Sequence, residues 1–191
     1  MLFLKKKIEA VLVFLAIVGM AEPCFAQEDD RYVIENGRIT VFDSQSFSIG
    51  DEGEAVLERL GDYDSTDEYP GGEWYNYFEK GLSVSIDFDG NIDLVSLFCA
   101  YNNPDGGPRI ETPLGEVVVE GMGVDRQTSM AEFISTLQEG DYAFEIDEYS
   151  NRTNIIVDFE NGYKCALRFL ESEFLESKDY FFDEIQYYAS K

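Results

Sequence analysis

One short chain says nearly the same thing twice. GDYDSTDEYPGGEWYNYFEKG spans Gly61 to Gly81, and GDYAFEIDEYSNRTNIIVDFENG spans Gly140 to Gly162. The shared words GDY, DEY and FE recur at offsets of 79, 80 and 81 residues. Offsets that grow by single insertions in turn-like places are the mark of a duplicated unit that has drifted, whereas chance matches scatter. The phase agrees beyond the quoted stretches. Leu82, Val84, Ile86 and Phe88 alternate with polar residues, and Tyr163, Cys165, Leu167 and Phe169 do the same, as half-buried antiparallel strands do.

Around these strands the pattern predicts a hairpin in each unit. EWYNYFE and NIIVDFE are rich in aromatic or branched residues and lead through KG and NG into the next strand. Upstream lie two amphipathic helices. In the first, Asp51 is the expected N-cap, Gly61 is the stop, and Val56, Leu57 and Leu60 face the sheet. In the second, Ser129 and Glu132 form a capping-box signature, Gly140 is the stop, and Phe133, Ile134 and Leu137 face inward. An opening strand precedes each helix, over Arg38 to Asp43 and over Glu116 to Met122. The fold class expected is α+β: two tandem repeats of strand, short helix and three-stranded meander, with both helices on one face of a largely antiparallel sheet. The expected organisation is a signal peptide over 1–26, a first repeat over 27–101, a linker over 102–109 whose NNPDGGP holds only turn formers, and a second repeat over 110–191.

The leader reading rests on Lys5, Lys6 and Lys7 ahead of an apolar run from Val11 to Met20, with Cys24 and Ala26 before a cut at Gln27. That run is shorter than the roughly 20 residues of a spanning helix, so no transmembrane span is expected in the mature chain. The expected location is the periplasm or the extracellular space. Cleavage would leave 165 residues, with 11 basic against 37 acidic side chains, a surface that repels nucleic acid. The chain has no histidine, which removes Ser-His and Cys-His nucleophile pairs and histidine-held zinc together. Cys99 and Cys165 remain after cleavage; Cys165 takes the place of Val84, so a packed thiol is expected rather than a bridge.

The helix opened near FSIGD, closed at LG and followed by the meander around GLSVSIDFDG resembles two groups: the BamE and SmpA/OmlA outer-membrane lipoproteins, and the secreted β-lactamase inhibitor proteins, which are tandem helix-plus-sheet units. The resemblance implies that fold and a mode of action, binding without catalysis. The chain departs from both groups in lacking a lipobox and a cysteine pair inside each unit, and no contact residue carries over.

Three chemistries compete for the remaining residues. For calcium, Asp62, Asp64, Thr66 and Glu73 stand at positions one, three, five and twelve of an EF-hand spacing, although Asp67 occupies position six, where the turn calls for glycine. DFDGNID (Asp87 to Asp93) has similar spacing but reads as an Asp-Gly hairpin turn. A carboxylate-dependent glycan-acting enzyme needs a carboxyl in an apolar setting, and only Asp158 inside IIVDF, matched to Tyr77, has that look. Asn151 in NRT fits a glycosylation acceptor. The aromatic residues point elsewhere: Trp74, Tyr75, Tyr77 and Phe78 crowd one strand, and Tyr180, Phe181, Phe182, Tyr187 and Tyr188 the last. Alternation buries only half of such runs, and the rest suit a contact surface, for which Trp74, Tyr75, Tyr77, Tyr187 and Tyr188 are the candidates. The function expected is a non-catalytic interaction module, an envelope scaffold or inhibitor of an exported protein, with no cofactor unless calcium binds.

Overall fold

A computed structural model describes residues 31–41, 45–101, 110–111, 114–149, 152–171 and 180–190. The predicted leader, the predicted linker and Asn151 lie outside the described residues.

The chain is α+β, dominated by antiparallel strands. It opens with β1 (Tyr32–Glu35), β2 (Arg38–Thr40) and β3 (Ser46–Ser48), then α1 (Gly53–Leu60). A meander follows: β4 (Ser65–Tyr69), β5 (Gly72–Tyr77), β6 (Leu82–Asp87) and β7 (Ile92–Phe98). The ribbon β8 (Ala100–Tyr101) and β9 (Ile110–Glu111) leads to the hairpin β10 (Val117–Val119) and β11 (Met122–Val124). Then come α2 (Met130–Glu139) and a second meander: β12 (Ala143–Glu148), β13 (Arg152–Asp158), β14 (Tyr163–Glu171) and β15 (Tyr180–Ala189).

These strands form two main sheets. The long one has eight strands in the order β12-β13-β14-β15-β7-β6-β5-β4, so the two meanders meet through their last strands. That seam is antiparallel and centres on Tyr187 opposite Val95. The short sheet, β11-β10-β1-β2-β3, joins the two hairpins through a parallel pair in which Ile34 lies opposite Val119.

Alternation sorts the long sheet into an inner and an outer face. Inward go Leu82, Val84, Val95, Leu97, Ile155, Val157, Cys165, Leu167 and Phe169, each at most 1% exposed. Burying a side chain of this kind stabilises a fold by about 1.5–3 kcal/mol, so this face carries most of the cohesion. Both helices lie on it. A Cβ on Gly53 of α1 would come within 2.5 Å of Ile86, so only glycine lets the helix approach. On α2, Phe133 packs on Phe169 with ring centroids 5.8 Å apart. The short sheet lands on it too: the tight turns Asn36–Gly37 and Glu120–Gly121 both end at Tyr187. Its hydroxyl accepts from the Gly37 N–H (3.0 Å) and donates to Glu120 Oε1 (2.7 Å). Gly37 has φ +79°, and a Cβ there would sit 2.2 Å from the Tyr163 ring.

Several sequence expectations change at this scale. Each meander has four strands rather than three, because STDEY and AFEIDE pair as β4 and β12; both are edge strands rich in carboxylates, as edges that must not pair further often are. The expected opening strand Arg38 to Asp43 shortens to β2 and gains β1 as a hairpin partner. The expected strand Glu116 to Met122 breaks at Glu120–Gly121, both at positive φ, into β10 and β11. Asp51 does not cap α1. Its Oδ2 accepts from the Ser48 N–H, and the N-cap residue, Glu52, makes no side-chain cap. The Ser129–Glu132 capping box is present in full. Phe88 is 81% exposed, because β6 ends at Asp87 and the chain turns there.

Candidate functional site: the outer face of the long sheet

Pairing registers place the outer-facing side chains in rows across the strands. One row runs Asp67, Trp74, Ser85, Leu94, Tyr188, Lys164, Asp158, from β4 through the seam to β13. Trp74 and Tyr188 thus share a row with β6 and β7 between them, about 14 Å apart at the usual spacing of neighbouring strands. The adjacent row reads Ser65, Asn76, Ser83, Ser96, Gln186, Ala166, Ile156. The middle of this face is therefore floored by Ser83, Ser85 and Ser96, with taller aromatic and amide side chains beside it. Both helices and the short sheet lie on the other side, which leaves this face without a covering element among the described residues.

The floor is polar but satisfied. Asn76 donates to Ser65 (3.1 Å) and Asp67 (2.8 Å), and accepts from Ser83 (2.5 Å). Ser85 donates to Asp93 Oδ1 (2.6 Å), and Tyr69 donates to Asp93 Oδ2 (3.0 Å) while its oxygen lies 2.6 Å from that of Ser85. Two protons serve three short contacts, which locks the three groups together. Burial raises the Tyr69 hydroxyl pKa, and Asp93 adds to the rise. The Trp74 ring stands on Tyr69, with centroids 5.8 Å apart. Asp93 reaches this face because β7 bulges where Ser85 pairs with Leu94 and Ile86 with Ile92.

Beyond the seam the chemistry differs. Arg168 forks onto Asp183 (3.0 and 2.8 Å) and bonds Glu184 at 2.5 Å. Glu184 also accepts from Ser96 (2.5 Å) and Gln186 (2.9 Å). Lys164 pairs with Asp158 at 2.7 Å, and that contact raises the lysine's pKa.

The structure divides the predicted aromatic surface. Trp74 and Tyr188 are half-buried on the outer face. Tyr77 and Tyr187 belong to the core, 2% and 0% exposed, and cannot form part of an open surface. Tyr75 also faces inward. It donates to Glu73 at 2.8 Å, meets Tyr63 edge-on, and has its pKa pushed up to about 12, first by burial and then by Glu73. Phase was the available signal: Tyr187 alternates with Ile185, whereas Trp74 alternates with Asn76.

Of the calcium candidates, Asp62 and Asp64 precede β4, with Asp64 accepting from the Phe78 N–H at 2.7 Å. Thr66 lies in β4 opposite Tyr75, and Glu73 lies in β5 opposite Glu68. The segment is drawn out as a hairpin rather than coiled about a point, as an EF-hand loop is. Among the described residues no group of three or more Asp, Glu, Cys or His is placed to hold a metal. Asp158 is an exposed ion-pair partner instead of a carboxyl in an apolar setting. The register at the β13–β14 turn differs by one residue from that at β5–β6, so Asp158 falls opposite Lys164 on the outer face, while Tyr77 points inward. Cys99 and Cys165 are separate buried thiols, and burial pushes the Cys165 pKa up. Among the described residues no helix is long and apolar enough to cross a membrane. No known family, curated protein or solved structure matches this chain.

Proposed function

We propose that the chain is an exported module that binds another protein on the outer face of its long sheet. The observation that carries this reading is the Trp74–Ser85–Leu94–Tyr188 row: two aromatic posts beside a floor of short, fully hydrogen-bonded side chains. A sheet face that met only water would be expected to carry long charged side chains, whereas contact surfaces are enriched in Trp and Tyr on a rigid support. The element order supports a duplicated origin. Hairpin, helix and four-stranded meander occur twice, Leu82 and Tyr163 each open the third strand of a meander, and the seam places Val95, the neighbour of Val84, opposite Tyr187, the neighbour of Cys165. A tandem of helix-plus-sheet units is also what the resemblance to the secreted inhibitor and envelope lipoprotein groups implies, and with it comes binding in place of catalysis. The basic and apolar leader supports export to the periplasm or beyond, which a mature N-terminus at Gln27 would bear out and a lipidated Cys24 would overturn.

Capture from envelope extract tests the site. The folded Trp74→Ala, Tyr188→Ala double variant is expected to lose the partner that the unchanged chain retains. Equal capture by both would overturn the assignment.

A further inference from the structure

The two halves of the outer face differ in charge, and the difference specifies the partner. Strands β4 to β7 contain no lysine or arginine. Their outer side presents Asp87 and Asp93 around Trp74 and Tyr69. Asp87 is held by the N–H groups of Asp89 (3.0 Å) and Asn91 (2.9 Å), and Asp93 by the hydroxyls of Ser85 and Tyr69. Such neutral donors fix a carboxylate in place and leave its charge uncancelled. The other half carries Arg152, Lys164 and Arg168 among its carboxylates, so it is of mixed sign. Positioned carboxylates beside an indole and a phenol are the chemistry that takes a guanidinium or ammonium group, by charge pairing and by cation–π contact together.

Resting on the docking face proposed above, we infer that the partner presents a basic segment, and that its arginine or lysine side chains seat against Trp74 between Asp87 and Asp93. The formal charge of −25 draws such a segment in from a distance, and the β4–β7 half fixes where it lands.

Trp74 is the only tryptophan in the chain, which makes it a reporter placed at the proposed contact. The test titrates the full chain with a short peptide alternating arginine and serine, and with its glutamate counterpart, following Trp74 emission. The arginine peptide is expected to shift the emission saturably, and the glutamate peptide to leave it unchanged. An Asp87→Asn, Asp93→Asn double variant keeps the Asp87 oxygen that both of its neighbours use and one of the two Asp93 oxygens, with the new Asp93→Asn amide able to donate to the Tyr69 oxygen, and is expected to weaken binding about tenfold. A Glu54→Gln, Glu58→Gln variant removes as much charge from α1 and is expected to change binding less than about twofold, since general attraction is screened over about a Debye length. An equal loss in both variants, or no emission change with the arginine peptide, would overturn the inference. A natural partner released by Trp74→Ala but held unchanged by the Asp87 and Asp93 variant would overturn it as well while leaving the docking face standing.

Discussion

The two meanders of the long sheet are alike on one side and unlike on the other. Inward, Val84 and Cys165, or Leu82 and Leu167, do the same work of filling space beneath a helix. Outward, β4 to β7 hold carboxylates by neutral hydroxyls and amides, while β14 and β15 gather Arg168, Asp183 and Glu184 into an ion cluster. The inner face must close a shared core, and any well-sized apolar side chain suffices for that. The outer face is free of this demand, so one half can commit its charges to internal pairing and the other can leave them available.

The largest effect should fall on the half whose charges are internally paired. Arg168→Met removes the guanidinium that bonds Asp183, 3% exposed, and Glu184, and is expected to cost about 3–5 kcal/mol in urea unfolding. Asp93→Asn on the other half should cost well under that, because the remaining oxygen still accepts from Ser85 while the new amide can donate to the Tyr69 oxygen, whose proton turns to Ser85. Similar costs for the two would erase the distinction between the outer faces.

Next come Leu82→Ala and Leu167→Ala, both at fully buried positions, each expected to cost about 2–5 kcal/mol with a single unfolding transition. Two transitions, or a loss confined to one variant, would mean that the halves do not share one core.

A smaller contrast separates two buried tyrosines. Tyr187→Phe removes a donor to Glu120 and an acceptor from the buried Gly37 N–H, at an expected cost of about 1–3 kcal/mol. The Tyr77 hydroxyl has no hydrogen-bond partner among the described residues, so Tyr77→Phe should be neutral or stabilising by up to about 1 kcal/mol. Burial pushes the Tyr77 pKa from 10.0 up to about 12. The neutral hydroxyl is therefore favoured in the fold, and its contribution is intact below pH 10 and lost as pH rises through about 12. The advantage of Tyr77→Phe over the unchanged chain should grow across that window in thermal melts; a constant difference would show that Tyr77 does not titrate with folding.

The smallest contrast lies at the helix starts. Ser129→Ala breaks the capping box of α2 and should cost about 1 kcal/mol, whereas Glu52→Ala at α1, where no side chain caps, should stay within a few tenths.

What the sequence made legible follows from the same contrast. Inner-face strands announce themselves: Leu82 to Ile86 and Cys165 to Phe169 alternate because water is excluded from one side. The α2 start was readable from Ser129 and Glu132 because a capping box is a local device. The edge strands β4 and β12 were not: STDEY is polar on nearly every position, and in AFEIDE only Phe144 and Ile146 mark one side, too few to separate a strand from a loop until a neighbour pairs with it. Aromatic content drew attention to the right strands but did not say which residues point outward. That needs phase, which depends on one-residue differences such as that between the β5–β6 and β13–β14 turns. The hairpin β10–β11 was read as one strand because a three-residue arm is too short to show a period.

The seam also sets a schedule for folding. β15, the last of the described strands, sits at the middle of the long sheet, and its partner β7 is made about ninety residues earlier. Until β15 has emerged, β7 and β14 are both open edges, and the parallel contact between β1 and β10 spans a comparable length of chain. Folding dominated by such distant pairings is slow and leaves unpaired edges exposed on the way. The growing polypeptide can form the first meander as it appears, but it can join the two only once β15 has been made.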